Sequence, residues 1–199
     1  NEPKTLDTAF DVMGDIILST AAQQYGGFTV PEVDKILAPY AKKSYDKYIS
    51  EFMKYSDESW SGREERAIEY ALDKVRRDYD QGWQGIEYKL NTVGSSRGDY
   101  PFVTVTLGLG TEQFEKMCTI SLLEVHQGGQ GKAGHKKPVL FPKIVFLYDK
   151  EIHGPGKCCE DIFEAGVECS SKTMYPDWLS MSGAGYISSM YRKYKKVIS

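Results

Sequence analysis

Apolar residues recur at intervals of three and four through most of the first 92 residues, and this spacing places them along one face of an α-helix. The first such stretch predicts a helix over Thr5–Tyr25, with Pro3 before it and Gly26-Gly27 after it as start and stop signals. The pattern predicts a second helix after Pro39, because proline interrupts the apolar spacing there. The apolar positions are Leu6, Phe10, Met13, Ile17 and Ala21 in the first helix and Tyr45, Tyr48, Ile49 and Phe52 in the second.

A polar turn over 56–62 separates the second helix from a third and longer one, predicted from Arg63 to about Leu90. The apolar positions of the third helix follow a near-heptad repeat, which is typical of a helix that packs along another long helix. The partner helix belongs either to the same chain or to a second subunit, and the sequence is compatible with both. The repeat consists of Ile68, Leu72, Val75, Tyr79, Trp83, Ile86 and Leu90.

Beyond residue 92 the pattern changes to short β-branched and aromatic runs that alternate with helical stretches. This alternation predicts parallel βαβ units. We therefore expect an α/β fold in a single partial domain over 1–199, with a helical region over 1–92 and a βαβ region over 93–199. The predicted elements are a strand over 100–107, a helix over 111–127 with Thr111 as its N-cap, a glycine-rich loop over 128–134, a strand over 139–148, a helix over 159–171 and an extended segment after Pro176.

Composition and charge narrow the possible classes of function. The chain has 199 residues, is 41% hydrophobic and carries a formal net charge of −3, so no global positive field favours binding to nucleic acid or to an anionic membrane. Its longest apolar runs are far shorter than the roughly 20 residues that a membrane span needs. The chain opens with neither a signal peptide nor an initiator methionine, and we expect a piece of a longer, cytoplasmic protein.

The cysteines and histidines show no spacing typical of metal ligands. There is no CxxC pair among the four cysteines, and adjacent Cys158 and Cys159 rarely ligate one zinc ion, so we expect reduced thiols and no metal site. The histidines, His126, His135 and His153, form no HExxH motif.

Three segments are candidates for contact with a ligand. Gly108-Leu109-Gly110-Thr111 ends a predicted strand and opens a helix, where backbone N–H groups can bind an anion or simply form a turn. The loop over 128–137 fails as a phosphate loop because it follows a helix, although it carries the basic residues Lys132, His135, Lys136 and Lys137. The polar residues between 91 and 96 either cap a helix or contact a polar substrate.

Five strings follow one another along the chain and together span nearly all of it. They are Tyr25-Gly26-Gly27 with 34–40, Glu87-Tyr88-Lys89-Leu90-Asn91-Thr92, Pro101-Phe102-Val103-Thr104 with Gly108-Leu109-Gly110-Thr111, Phe141-Pro142-Lys143-Ile144-Val145-Phe146, and 168–177. In this order and spacing they resemble the catalytic subunit of the anaerobic (class III, glycyl-radical) ribonucleoside-triphosphate reductases. Each string alone is weakly specific.

The resemblance implies a ten-stranded α/β barrel of the glycyl-radical enzyme type, of which this chain is an interior portion with a helical layer at a dimer interface. It implies reduction of ribonucleoside triphosphates to deoxyribonucleoside triphosphates by thiyl and glycyl radicals, with formate or a dithiol as reductant. The radical cysteine is expected just after Ser199, so the 199 residues have no catalytic residue and should be inactive alone. The radical glycine, a zinc site and a partner activase with an iron-sulfur cluster and S-adenosylmethionine belong to the full enzyme.

The resemblance also assigns residues that bind nucleotides. Lys4 and Lys47 match positions where lysines approach the phosphates of a deoxynucleotide or ATP effector, and Glu87 matches an acidic effector contact. Apart from the resemblance, the candidates for contact with the substrate are the polar residues at the end of the third helix and one threonine of the following strand: Asn91, Thr92, Ser95, Ser96 and Thr104. Two alternatives remain open: another glycyl-radical enzyme of the formate-lyase type, and a non-catalytic regulatory module that binds deoxynucleotides.

Overall fold

The computed structural model describes residues 2–24, 26–94, 98 and 100–194. Four parallel strands form one sheet in the order β1-β2-β3-β4, so that each strand lies beside the one before it in the chain. The strands are β1 (Phe28–Val30), β2 (Val103–Leu107), β3 (Lys143–Tyr148) and β4 (Asp177–Ser180). The helices are α1 (Leu6–Gln23), α2 (Val33–Tyr55), α3 (Arg63–Thr92), α4 (Gln113–Gly128), α5 (Lys150–His153), α6 (Glu160–Lys172) and α7 (Tyr186–Tyr194).

The connections between strands confirm the predicted α/β fold with parallel βαβ units. Helices α2 and α3 lie between β1 and β2, α4 lies between β2 and β3, and α5 and α6 lie between β3 and β4. Parallel neighbours require such crossovers, because a tight turn can join only antiparallel strands. No helix among the described residues has the length and apolar character that crossing a bilayer requires.

The apolar repeat of α3, which we call its apolar stripe, packs against other elements of the same chain. The Phe10 ring of α1 meets the rings of Tyr79 and Trp83 edge to face, with centroids 6.2 and 5.1 Å apart. At the start of α3 the predicted stripe is wrong, because Ile68 is 46% exposed and Ala67 is buried in its place. A straight helix has 3.6 residues per turn, so positions that repeat every seven residues drift slowly around it. Over the length of α3 this drift turns the first positions of the stripe, such as Ile68, toward solvent.

Several predicted boundaries differ from the structure. Helix α2 begins at Val33 and continues through Pro39. Proline has no N–H group, so the carbonyl four residues before it lacks its helical hydrogen bond. Pro39 is exposed, and water can therefore reach that carbonyl. The N-cap of α4 is Glu112, not Thr111, because Glu112 and Glu115 form a capping box. The short elements β1, α5 and α7 were not predicted, since three to nine residues show little periodicity. The predicted end of the first helix, Tyr25, lies outside the described residues.

The two faces of the sheet differ in what covers them. Alternate side chains of the strands point to the helical layer and form the main core with it. We call the opposite side the open face. Among the described residues, α7 and Ile152 of α5 pack against its apolar part. Helix α7 places Ile187 and Tyr191 against the half of the open face at the carboxyl ends of the strands. The core side chains of β2 and β3 on the helical side are Val103, Val105, Leu107, Ile144 and Phe146.

Candidate functional site

The half of the open face at the amino ends of the strands is polar. Thr29, Thr104 and Lys143 are in register on three adjacent strands and therefore point to the same side of the sheet. On the next strand Asp177 accepts a hydrogen bond from Lys143 Nζ at 2.9 Å, and this bond raises the pKa of Lys143. We call these four residues the polar row. It presents hydroxyl, ammonium and carboxylate groups side by side, which suits a ligand with many polar groups.

A buried carboxylate closes the turn that follows β2. Asp34, in the first turn of α2, is fully buried, and its Oδ2 accepts hydrogen bonds from the backbone N–H groups of Gly108 (3.0 Å) and Gly110 (3.1 Å). Its Oδ1 accepts one from the N–H of Lys35 at 3.0 Å. Burial raises the pKa of Asp34, although these three hydrogen bonds oppose the shift. The predicted anion site at 108–111 therefore holds an anion that belongs to the chain itself.

His153 holds the other side of the same turn. Its Nε2 donates to the carbonyl of Gly108 at 2.7 Å, and its Nδ1 accepts from the N–H of Asp149 at 2.9 Å. A ring that donates at one nitrogen and accepts at the other is neutral. Burial lowers the pKa of His153, which agrees with the neutral form. The turn is thus held by a carboxylate from α2 and an imidazole from α5.

The lowered pKa of His153 predicts acid sensitivity. The unfolded chain binds a proton near pH 6.5, while the folded chain resists it to lower pH, so this stability is present above pH 6.5 and is lost as pH falls through the folded pKa. We expect wild type to lose unfolding free energy relative to His153→Gln below about pH 6.5, with a slope of up to about 1.4 kcal/mol per pH unit. Urea unfolding of both proteins between pH 8 and 5 measures this. Parallel pH profiles would contradict it.

At the amino ends of the strands a second buried polar cluster joins α3 to α4. Glu87 is fully buried, and its Oε1 accepts a hydrogen bond from His126 Nδ1 at 2.8 Å. Its Oε2 lies 3.2 Å from Gln130 Nε2, which donates to it. The His126 ring also packs against Tyr175, with centroids 5.5 Å apart. Within this chain Glu87 is thus a core residue, and its predicted contact with an effector stays a prediction.

The predicted substrate-side residues do not all lie together. Asn91 uses its whole side chain to hold the end of α3 to the segment before β3, accepting from the N–H groups of Leu140 and Phe141 and donating to the carbonyls of Glu87 and Phe141. Thr92 donates to a carbonyl of its own helix. Of the predicted residues that the structure describes, Thr104 alone lies on the open face. Ser95 and Ser96 lie outside the described residues.

Lys4 and Lys47 are both exposed, near the contact between α1 and α2. The N–H of Leu6 donates to Ser44 Oγ at 2.8 Å, which sets the start of α1 against the middle of α2. Lys47 lies 3.8 Å from Glu51, and it helps to lower the pKa of Asp7 on α1, after the larger effect of a hydrogen bond from Thr5. The fold therefore brings both lysines that are predicted to bind effector phosphates to the junction between α1 and α2.

Sequence reasoning missed Asp34, His153 and the pair of Lys143 and Asp177. For the pair a signal was available. Two triplets in the chain each consist of an aromatic residue, a proline and a charged residue, and each leads into a strand. They are Phe141-Pro142-Lys143 and Tyr175-Pro176-Asp177. Two such triplets of opposite charge suggest neighbouring strands whose first residues pair.

Neither a metal cluster nor a disulfide is present among the described residues. No three His, Cys, Asp or Glu side chains in that part of the chain converge on a point that could hold a metal ion. Cys118, Cys159 and Cys169 are buried free thiols, and Cys158 is an exposed one. A surface pocket of about 410 Å³ lies between α2 and α3 around Trp60 and Tyr70, and it contains none of the predicted site residues.

Comparison with known proteins agrees with the resemblance in the sequence. The family model described as "Anaerobic ribonucleoside-triphosphate reductase" matches residues 1–198. Proteins of that name from Enterobacteria phage T4 and Haemophilus influenzae are 36% identical over 182 residues and 35% identical over 179, each alignment covering 89% of this chain. The one from Salmonella typhimurium is 36% identical over 179 residues and 89% of this chain. The chain spans only 28%, 24% and 24% of the lengths of these three relatives. The match over almost every residue shows that the chain belongs to the anaerobic ribonucleoside-triphosphate reductase family.

Proposed function

We propose that this chain is part of an anaerobic ribonucleotide reductase, which reduces ribonucleoside triphosphates to deoxyribonucleoside triphosphates by thiyl and glycyl radical chemistry. The family match over residues 1–198 carries the proposal. The relatives are reductases by name, and about a quarter of their length corresponds to this chain. The 199 residues would then be inactive alone, because the radical cysteine and the radical glycine would lie elsewhere in the protein.

The sheet is proposed to be an arc of a ten-stranded barrel. Two observations support this: the strands follow one another in sequential order, and the helical layer covers mainly one face. A doubly wound sheet would instead place helices on both faces and reverse its strand order. The open face would then line the inside of the barrel. The edge strands β1 and β4 would pair with strands from the rest of the protein.

The polar row would face the substrate. Thr104 and Thr29 can hydrogen-bond to ribose hydroxyls. Lys143 can attract a phosphate, and Asp177 holds the ammonium group of Lys143 in place. The described residues offer no site for the zinc ion of the family, and the activase would act on the radical glycine outside this chain. The role proposed for this chain is therefore to bind and orient nucleotide, with the radical chemistry supplied by other segments.

The test is reductase activity of the longer protein that contains this chain, purified and activated without oxygen. We expect deoxynucleotides to form from ribonucleoside triphosphates, and Lys143→Met to lower kcat/KM about tenfold or more, because one charge-assisted contact is worth about 1.5–3 kcal/mol. Lys42→Met is the matched control, since Lys42 pairs with Asp46 on the exposed side of α2. Failure of the activated protein to form any deoxynucleotide would contradict the proposal.

The effector site is proposed at the junction of α1 and α2, with deoxynucleotides or ATP as effectors and a second copy of the chain completing it. A triphosphate attracts flexible ammonium groups, and the junction offers Lys4 and Lys47. We expect Lys47→Ala to weaken effector binding about tenfold. The measurement is equilibrium binding of labelled deoxynucleotides to the full-length protein, with Lys42→Ala as control. Equal affinities of Lys47→Ala and wild type would refute this site.

A further inference from the structure

Two adjacent thiols lie side by side between α5 and α6. The Sγ atoms of Cys158 and Cys159 are 3.6 Å apart, and both thiols are free. Their surroundings differ, because Cys158 is exposed whereas Cys159 is buried and contributes to the main core. The pair therefore combines one thiol that a small solute can reach with a second one that is shielded.

The segment is held in place on both sides. Lys116 Nζ on α4 donates to the carbonyl of Cys158 at 2.7 Å and pairs with Asp161 Oδ2 at 2.8 Å. Cys159 Sγ lies 3.7 Å from the carbonyl oxygen of Gly110 and donates to it, and the N–H of Cys159 donates to the carbonyl of Ile152 at 2.9 Å. These contacts hold the backbone of both cysteines and the sulfur of Cys159 in place.

We propose that Cys158 and Cys159 are a modification site, at which a peroxide closes the two thiols to a vicinal disulfide. The Cys158 sulfur attacks one peroxide oxygen, an S–O bond forms, the O–O bond breaks and hydroxide leaves, which produces a sulfenic acid. The Cys159 sulfur then attacks Cys158 Sγ, the S–S bond forms, the S–O bond breaks and water leaves. In total the two thiols lose two protons and two electrons, and one hydrogen peroxide takes them up and is reduced to two water molecules.

The order of attack follows from the exposure of the two sulfurs. Peroxide reaches Cys158 from solvent, whereas Cys159 is covered by the core. Burial also raises the pKa of Cys159 to about 12, so it is a poor first nucleophile. Cys159 is suited to resolve the sulfenic acid, because it needs to move toward Cys158 by only about 1.5 Å to reach bonding distance.

The disulfide would be easy to reduce again and would alter the turn after β2. Consecutive Cα atoms are about 3.8 Å apart, which is shorter than the usual Cα separation in a disulfide, and such strain makes the bond more reducible. Closure removes the S–H group that donates to Gly110, and Gly110 belongs to the turn held by Asp34. The pair would thus report exposure to oxidant at the carboxyl ends of the strands.

The other two cysteines of the chain are matched controls. Cys169 is buried, and its sulfur contacts Thr173 Oγ1 at 3.6 Å. Cys118 is buried, and its sulfur lies 4.0 Å from the carbonyl of Val33. Among the described residues neither contacts another thiol, so neither should close to a disulfide.

The experiment uses the full-length protein, reduced and then treated without oxygen with hydrogen peroxide in slight excess. Free thiols are alkylated, and digestion with trypsin and then with a glutamate-specific protease cuts after Lys157 and Glu160, which separates the pair from Cys169. We expect the peptide Cys158-Cys159-Glu160 to be unalkylated and about 2 Da lighter than its reduced form, and dithiothreitol to restore both thiols. The readout is independent of reductase activity and of the proposed function.

Dimedone, which traps sulfenic acids, separates the two steps. In Cys159→Ser the sulfenic acid at Cys158 cannot be resolved, so we expect at least about tenfold more dimedone adduct there than in wild type. Cys169→Ser should behave as wild type. The proposal is overturned if wild type accumulates as much adduct as Cys159→Ser, if both thiols stay alkylatable after peroxide, or if the disulfide joins Cys158 to another cysteine or another molecule.

Discussion

Replacing Asp34 by alanine is expected to lower the free energy of unfolding by about 3–4 kcal/mol. The change leaves the N–H groups of Gly108 and Gly110 buried without an acceptor, and each buried unsatisfied donor costs about 1–3 kcal/mol. Water does not readily replace the carboxylate, because Asp34 is fully buried. Denaturant unfolding measures the total loss, and hydrogen exchange at Gly108 and Gly110 should show that it is localised to the turn after β2.

Asp34→Asn is the control for this prediction. The amide oxygen keeps one acceptor for the two glycine N–H groups, while the NH₂ group faces the N–H of Lys35 and loses that bond. We therefore expect a loss smaller than that of alanine. If alanine and asparagine cost the same, or if exchange at the two glycines is unchanged in the alanine variant, then Asp34 does not hold the turn.

Glu87→Ala is expected to cost about 3–5 kcal/mol. The variant deprives His126 of its carboxylate partner and Gln130 of an acceptor, in a cluster where both Glu87 and His126 are almost fully buried. Removing one member of a buried pair is strongly destabilising because the other is left without compensation. The measurement is again denaturant unfolding, with Glu87→Gln as the isosteric control, for which we expect a smaller loss.

A double-mutant cycle with His126→Ala measures the interaction energy between Glu87 and His126, apart from the contacts that each makes with other residues. If the two side chains act as a unit, the double variant should be more stable than the sum of the single losses predicts, by about 1–3 kcal/mol. The same variants address the predicted effector role of Glu87. A variant that folds with wild-type stability but binds deoxynucleotides weakly would favour the effector role over the structural one.

Helices and their faces were largely predictable from the sequence. The periodicity of α1 and α3 identified Phe10, Tyr79 and Trp83 as core residues, and all three are buried. The predicted helix boundary at Pro39 is wrong, because α2 extends through Pro39, which lies on its exposed side. Glu87 lies one turn after Trp83 and therefore on the same side of the helix as the apolar stripe, so the periodicity could also have predicted its burial.

The polar contacts of the candidate site were not predictable in the same way. Asp34 and Gly108 are 74 residues apart, and Glu87 and His126 are 39 apart. A charged residue in the first turn of a helix is common at helix N-termini, so Asp34 had no feature that marked it as buried. The sequence indicates that the turn at 108–111 either binds an anion or is a simple turn. That its N–H groups bind Asp34 depends on how α2 packs against β2.

The sequence by itself determined the long helices, the parallel crossovers beyond residue 92 and the family, because periodicity, turn residues and ordered strings are local properties of the chain. The predicted helical region over 1–92 also contains β1, which joins the sheet. The tertiary structure alone decided that the α3 stripe packs within the chain, that Thr29, Thr104 and Lys143 share one face, and that Asp34 occupies its own anion site. Strand register and the burial of a carboxylate depend on contacts between distant segments. Those contacts exist only after the elements have packed, and no local pattern encodes them.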